Sequence, residues 1–79
     1  LKSEQLKQSL KFLKSEFNLT DREVDILQSI SEGYSNPEIA KKLFLSVNTI
    51  KYHTRNLYQK LDINNRTQAI LEVEKCYNN

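Results

Sequence analysis

The sequence is poor in the residues that interrupt helices or crosslink a chain. It contains one Gly, one Pro and one Cys among 79 residues, and it has no Met and no Trp. So little Gly and Pro argues against long loops and tight β-hairpins. The single cysteine, Cys76, excludes an internal disulfide and a cysteine-based metal site. No apolar run reaches about 18 residues, so the sequence contains no candidate membrane-spanning helix.

Length and composition predict one small all-α domain. A chain of 79 residues, 38% of them apolar, is near the lower end of what folds alone around one core. Leu, Lys, Gln and Glu are abundant, and all of them favour helices. No apolar signal segment opens the chain, and a lone thiol suits a reducing compartment, so we expect a cytoplasmic protein. We expect no cofactor and no metal.

The net charge of +2 is unevenly distributed along the chain. Residues 1–17 carry a net +2, residues 18–34 a net −3, residues 35–60 a net +4 and residues 61–79 a net −1. A localised basic segment is typical of a protein that binds a polyanion. A chance excess of lysine on solvated faces gives the same pattern, so charge alone leaves both interpretations open.

The strongest local pattern lies between residues 46 and 61. On a 3.6-residue repeat, one face of this segment collects residues suited to a core. They are Val47, Ile50, Thr54, Leu57 and Leu61. The opposite face collects two cations, two amides and an aromatic ring without any carboxylate, namely Asn48, Lys51, Tyr52, Arg55 and Gln59. Such side chains bond base edges and phosphates, so the pattern predicts a DNA recognition helix over about 47–61.

Helix-capping signals divide the rest of the chain. Three of them precede apolar-periodic segments: Thr20 with Glu23, Ser35 with Glu38, and Ser46. The first helix after these signals is expected to bury Val24, Leu27 and Ile30, with Ile26 at its edge, and to end at Gly33. A short helix over about 36–43, a turn of about three residues and the longer helix from residue 47 then form a helix-turn-helix.

The N-terminal segment, residues 1–17, is a separate amphipathic helix. Its narrow apolar stripe consists of Leu6, Leu10, Leu13 and Phe17. We expect residues 1–17 to be a linker helix that packs on its own domain or on an upstream one, and residues 18–79 to be the helix-turn-helix domain. A basic amphipathic helix could instead bind a membrane surface or a partner, but four apolar residues without Trp are a weak membrane signal.

Between Leu19 and Ile70, about two-thirds of the chain, short motifs stand at fixed spacings. They are Leu19-Thr20 with Arg22-Glu23, Gly33, Ser35-Asn36 with Glu38-Ile39-Ala40, Leu45-Ser46, Thr49-Ile50-Lys51 with His53, Lys60-Leu61, and Arg66-Thr67 with Ala69. This set resembles the LuxR/GerE-type helix-turn-helix domain of bacterial transcription factors. The Leu-Phe-Leu-Ser turn and the Asn-Arg-Thr-Gln ending are closest to the response-regulator and MalT-like branches.

The resemblance implies a four-helix domain, here with an additional N-terminal helix, whose third helix enters the major groove of double-stranded DNA. The family's base-contacting positions fall on Asn48, Lys51, Tyr52 and Arg55. Its phosphate-contacting positions fall on Asn36, Thr49, Lys60 and Arg66. The family also implies a homodimer on DNA, formed partly through the last helix. There Leu71 points away from the predicted core face, and Thr67, Glu74 and Lys75 lie near it.

Two positions depart from the family pattern or limit its use. Asp62 stands where Gly is usual, which bears on the turn after the recognition helix. Tyr52 is a large residue at a variable position, so the operator sequence cannot be borrowed from a relative.

We interpret the chain as the DNA-binding output domain of a bacterial transcription regulator, with no catalytic activity and no small-molecule ligand. The first alternative is a sigma-factor-like module that contacts RNA polymerase through the acidic helix from Asp21 to Glu32. An enzyme is the second alternative, and it lacks a convergent set of His, Cys and carboxylates. The only histidine, His53, is expected to be structural or to face a phosphate. Because the chain starts at Leu1 and not at Met, we expect the sensory domain to lie elsewhere.

Overall fold

The computed structural model describes residues 2–77, with side chains described for residues 3–76. Five α-helices make up this part of the chain: α1 (Lys2–Phe17), α2 (Asp21–Ser31), α3 (Asn36–Leu43), α4 (Val47–Leu61) and α5 (Arg66–Tyr77). No strand occurs within residues 2–77. The expected all-α fold is confirmed: α2–α5 form a helix-turn-helix domain, with α3 and α4 as its two central helices, and α1 is additional. None of the helices in this range is long and apolar enough to cross a membrane.

The predicted helix starts are confirmed by their hydrogen bonds. Thr20 Oγ1 accepts from the Glu23 N–H at 3.1 Å, and Glu23 Oε1 accepts from the Thr20 N–H at 2.8 Å. Ser35 and Glu38 repeat this reciprocal arrangement at the start of α3. Ser46 Oγ accepts from the Thr49 N–H at 3.1 Å at the start of α4. Each cap satisfies backbone donors that the first turn of a helix leaves without partners.

Left-handed residues end four of the helices. Gly33 has φ 92° and follows α2, as predicted. Asp62 has φ 56° after α4, and the Ile63 N–H donates back to the Tyr58 carbonyl at 3.0 Å. Asp tolerates this conformation better than most residues, so the usual Gly is not required there. Phe44 after α3 (φ 59°) and Asn18 after α1 (φ 55°) adopt it as well, and the sequence did not indicate this for Phe44.

One hydrophobic core joins residues from all five helices. Ile26, Leu27 and Ile30 of α2 are fully buried, whereas Val24 is half-buried. The prediction that Ile26 lies at the edge of the core was wrong, because α2 packs against α1, α4 and α5 at once and therefore buries a wider face.

Helix α1 shares the core of the other helices. It packs against α5 and α2, and it contributes the buried side chains of Leu10 and Leu13. Lys14 of α1 also pairs with Asp21 at the start of α2. Leu6 and Phe17 complete the predicted stripe as half-buried residues against the core. The amphipathic pattern of residues 1–17 is therefore used inside this chain.

Candidate nucleic-acid interface

Helix α4 presents a polar face to solvent. Its opposite face is anchored by the buried side chains of Ile50, Leu57 and Leu61. The outward-facing side chains are all exposed: Asn48, Lys51, Tyr52, Arg55 and Gln59. This division of α4 into a core face and a polar face confirms the one predicted from the helical repeat. The four side chains expected to contact bases therefore lie together on one continuous surface.

Two open grooves flank this polar face. The first, which we call the α3 groove, lies between α4, the start of α3 and the loop before α5. It is lined by Asn36, Lys51, Thr54, Arg55, Tyr58, Gln59, Ile63 and Asn64. The second, which we call the α2 groove, lies between α4 and the start of α2. It is lined by Thr20, Glu23, Tyr52, His53, Asn56, Gln59 and Lys60. Gln59 borders both grooves, so the outward ridge of α4 stands between them.

Two predicted phosphate contacts from distant parts of the chain meet at the α3 groove, which Asn36 lines and Arg66 borders. Arg66, the first residue of α5, places Nη2 3.5 Å from Oδ1 of Asn36, the first residue of α3. Tyr58 stands in the same groove, where burial raises the pKa of its phenol and the nearby Arg66 charge offsets only part of that rise. The phenol therefore stays protonated at neutral pH and can act as a hydrogen-bond donor.

Lys60 lies in the α2 groove and is held by an ion pair. Its Nζ donates to Glu23 Oε1 at 2.7 Å and to the Asn18 carbonyl at 3.1 Å. The Glu23 side chain is only 3% exposed, whereas the Lys60 side chain is 33% exposed. An ammonium group has three N–H donors, so one donor of Lys60 remains for a further acceptor.

The same pair sets the ionisation of Glu23. Burial by itself raises the pKa of this carboxyl, but the hydrogen bonds from Lys60 and from the Thr20 amide, together with the Lys60 charge, outweigh burial and hold the pKa below its usual value. Glu23 is therefore a carboxylate at neutral pH, with its charge balanced by Lys60.

The remaining predicted phosphate contact, Thr49, belongs to the cap of α4. Its hydroxyl lies 2.9 Å from the Ser46 hydroxyl, and either oxygen can be the donor. The hydroxyl thus already has one partner in the first turn of α4.

Each acidic residue of the segment around α2 is paired with a cation. Asp21 pairs with Lys14, Glu23 with Lys60, Asp25 with Arg22 at 3.8 Å, and Glu32 with Lys42 at 3.4 Å. Lys42 also lies over the Tyr34 ring at 4.6 Å. By contrast, Lys51 and Arg55 form no ion pair with any residue in the range 3–76. The exposed face of α4 therefore carries two cations whose charge no carboxylate of residues 3–76 balances.

The residues expected at a dimer interface share the outer face of α5. Thr67, Leu71, Glu74 and Lys75 are all exposed, and Leu71 is 52% exposed. Lys75 Nζ lies 3.5 Å from a carboxylate oxygen of Glu72 within the same helix. The predicted exposure of Leu71 is confirmed.

Sequence reasoning did not single out Asn56 of the α2 groove, and for His53 it left open a structural role or a contact with a phosphate. Residues 53, 56 and 60 follow the three- and four-residue spacing of one row on a helix, so the repeat that revealed the polar face also contained this signal. The His53 ring is half-buried and meets the Tyr52 ring edge-on, with centroids 5.4 Å apart.

Comparison with known proteins identifies the family. Residues 17–73 match the family described as bacterial regulatory proteins, luxR family. The transcriptional regulatory protein DegU of Brevibacillus brevis is 46% identical over 57 residues, which are 72% of this chain and 24% of that protein. The transcriptional regulatory protein LiaR of Bacillus subtilis (strain 168) is 48% identical over 58 residues, 73% of this chain and 28% of that protein.

A third relative is similar to a slightly shorter stretch of this chain. The CsgBAC operon transcriptional regulatory protein of Escherichia coli (strain K12) is 52% identical over 52 residues, 66% of this chain and 24% of that protein. This chain thus spans about a quarter of the length of these relatives. The match to the family covers α2, α3, α4 and most of α5. The chain therefore belongs to the luxR family of bacterial regulatory proteins, and α2–α5 are its helix-turn-helix domain.

Proposed function

We propose that this domain binds double-stranded DNA sequence-specifically, with α4 in the major groove, as the output domain of a bacterial transcription regulator. The observation that carries the proposal is the exposed face of α4, where Lys51 and Arg55 form no ion pair within residues 3–76 and stand beside amides and a phenol. An α-helix fits the major groove, where base edges present distinct patterns of donors and acceptors. The names of the relatives, all regulators, agree with this function.

Four side chains of this face are proposed to read bases. Lys51 and Arg55 donate to O6 and N7 of guanine, and the Asn48 amide pairs with adenine. Tyr52 offers a hydroxyl and an apolar ring edge, which suits a thymine methyl group or a phosphate.

Four further residues are proposed to hold the backbone in register. Asn36 lines the α3 groove and Arg66 reaches Asn36 at its edge, so they serve one strand. Lys60 borders the α2 groove with one N–H left to donate, and Thr49 lies on the same side of α4, so they serve the other strand.

We propose that the domain is a homodimer on DNA through the outer face of α5, with Leu71 at the centre and Thr67, Glu74 and Lys75 around it. An exposed Leu among polar residues supports this. Residues 18–79 are then the DNA-binding unit in the cytoplasm. Residues 1–17 are the linker helix, which packs on α5 and thereby touches the dimerising element.

The alternative, a surface for RNA polymerase on the acidic helix α2, has less support. All four acids from Asp21 to Glu32 are paired with cations of this chain, so the helix presents little unbalanced negative charge. Reversing the charge of Asp25 tests it: transcription lost with DNA affinity intact would favour a polymerase contact.

The experiment that tests the proposed function is selection of bound duplexes from a random pool at two salt concentrations, followed by affinity titration of variants. We expect a two-fold-symmetric motif to be enriched. Lys51→Ala should then cost about 1–3 kcal/mol on the selected duplex and relax one base position. Lys7→Ala on exposed α1 removes the same charge and is the control. Weak, unselective binding that is indifferent to Lys51 would overturn the proposal.

A further inference from the structure

The α2 groove contains two polar side chains, His53 and Asn56, to which the proposed function gives no role. We propose that this groove seats a backbone phosphate of the DNA strand opposite the one held by Asn36 and Arg66, with His53 and Asn56 donating hydrogen bonds to it. This inference rests on the proposed function, and it makes the domain a two-sided clamp on the major groove.

The position of the α2 groove suits a contact with the second strand. The α3 groove and the α2 groove lie on opposite flanks of α4 and share only Gln59. A helix with its side chains is about 10–12 Å across, and the major groove is about 12 Å wide. A helix seated in the major groove therefore has a sugar-phosphate backbone along each flank. The α3 groove faces one of these backbones, so the α2 groove faces the other.

The side chains of the α2 groove also offer the hydrogen-bond donors that a phosphate needs. His53, Asn56 and Lys60 form one row on α4, and they offer a ring N–H, an amide NH₂ and the remaining ammonium N–H. All three can donate to a phosphate oxygen, and phosphates take a large share of the hydrogen bonds at protein–DNA interfaces.

The charges in the α2 groove are compatible with a phosphate. The groove contains one carboxylate, Glu23, which is 3% exposed and bonded by Lys60 and by the Thr20 amide. Its charge is thus balanced within the protein and repels an incoming phosphate little. The start of α2 forms the opposite wall and adds the positive end of a helix dipole.

A gain of charge at Asn56 tests the inference without depending on a loss of folding. In titrations of a labelled duplex from the selection, Asn56→Lys should raise affinity and steepen the slope of log K against log salt by about 0.9, because one more phosphate is neutralised. Asn56→Glu should weaken binding about tenfold more than the control does. The controls are Gln5→Lys and Gln5→Glu, which make the same charge changes on exposed α1.

His53→Phe keeps an aromatic ring beside Tyr52 and removes the donor. It should weaken binding about three- to tenfold, the range expected for one lost hydrogen bond. Far-UV circular dichroism melts identify any variant that is not folded at the assay temperature. If a variant that should lose affinity is unfolded, the rise in affinity from Asn56→Lys still tests the inference, because unfolding cannot raise affinity.

Neutral methylphosphonates placed one at a time in the duplex locate the contact. The gain from Asn56→Lys should vanish for a substitution on one strand, and the loss from Arg66→Ala should vanish for one on the other strand. Two results would overturn the inference, provided that the wild type binds DNA and Lys51→Ala weakens that binding. In the first, the Asn56 and His53 variants bind no differently from the Gln5 controls. In the second, the gain from Asn56→Lys and the loss from Arg66→Ala map to the same strand. If wild type binds no duplex, the proposed function itself fails, and this inference falls with it.

Discussion

The ion pair between Glu23 and Lys60 connects α4 to α2, and its removal should lower the stability of the fold substantially. Lys60→Ala takes away the cation 2.7 Å from a carboxylate that is 3% exposed. The Glu23 carboxylate then keeps only its hydrogen bond with the Thr20 N–H, at 2.8 Å. A buried charge that loses its partner destabilises the fold by more than the pair itself contributed.

The expected loss of stability depends on how deeply each of the two paired side chains is buried. Breaking a fully buried pair costs about 3–5 kcal/mol, and a hydrogen bond to a charged group contributes about 1.5–3 kcal/mol. Because the Lys60 side chain is 33% exposed, water screens the pair, and we expect Lys60→Ala to lower the free energy of unfolding by about 2 kcal/mol. Glu23→Gln should cost about 1 kcal/mol, since the amide oxygen can still accept from Thr20 and Lys60 can be hydrated.

Urea titration followed by far-UV circular dichroism measures these free energies. In the double variant Glu23→Gln/Lys60→Ala, the cost should be about 1 kcal/mol less than the sum of the single costs, because the two residues act as a unit. Additivity to within about 0.5 kcal/mol would refute the reasoning. So would a Lys60→Ala cost equal to that of Lys7→Ala on exposed α1.

The pair also predicts a pH dependence. The folded-state pKa of Glu23 lies below the ordinary glutamate value of 4.5, so the unfolded state binds more protons as the pH falls. Stability from this group is therefore present above 4.5 and is lost as the pH falls through the folded-state pKa. The difference in free energy of unfolding between wild type and Lys60→Ala should shrink on going from neutral to acid pH. A difference that stays constant would contradict the assigned cause of the pKa shift.

Substitutions at three further positions test the turn after α3, the N-cap of α4 and the outer face of α5. Phe44→Gly should stabilise the fold by about 0.5–1 kcal/mol in the same urea assay, since Phe44 is 94% exposed and has φ 59°. Phe44→Ala keeps the Cβ and should bring no such gain; an equal gain would show that the ring and not the backbone is the cause. Ser46→Ala should cost about 1 kcal/mol and Ser46→Gly a few tenths, as for an N-cap, and equal costs would argue against the capping bond. Leu71→Glu should leave stability within about 0.5 kcal/mol yet abolish cooperative binding to a two-fold-symmetric duplex in gel-shift titration. Unchanged cooperativity would place the dimer contact elsewhere.

The sequence was sufficient for features determined over a few residues. The capping boxes at Thr20 and Ser35 and the N-cap at Ser46 depend on side chains three positions from their partners. The polar face of α4 depends on a repeat of 3.6 residues within one helix. Both kinds of pattern are visible without knowledge of the tertiary structure, and both were predicted correctly.

Features that depend on tertiary packing could not be predicted from the sequence. Ile26 is fully buried because three other helices cover α2, and no repeat within α2 shows how many neighbours it has. The left-handed conformation of Phe44 was missed because a β-carbon disfavours it, and the tight turn between α3 and α4 overrides that preference. Glu23 and Lys60 are 37 residues apart in sequence, and Asn36 and Arg66 are 30 apart, so neither contact has a local signature.

Tertiary contacts also change the prediction that the sequence makes about positive charge. By sequence, residues 35–60 hold five cations: Lys41, Lys42, Lys51, Arg55 and Lys60. In the fold, Lys42 is paired with Glu32 and Lys60 with Glu23, so their charges are partly balanced before any DNA arrives. Lys51, Arg55 and Arg66 line or border the α3 groove, and Lys60 retains one donor. Because Lys51 and Arg55 are proposed to bond bases, Arg66 and Lys60 are the cations left to neutralise phosphates, which predicts a slope of log K against log salt of about −2 for one domain on one half-site. A slope of about −3.6 would mean that Lys41 and Lys42 also bind phosphates and that the ion pair between Lys42 and Glu32 does not survive binding.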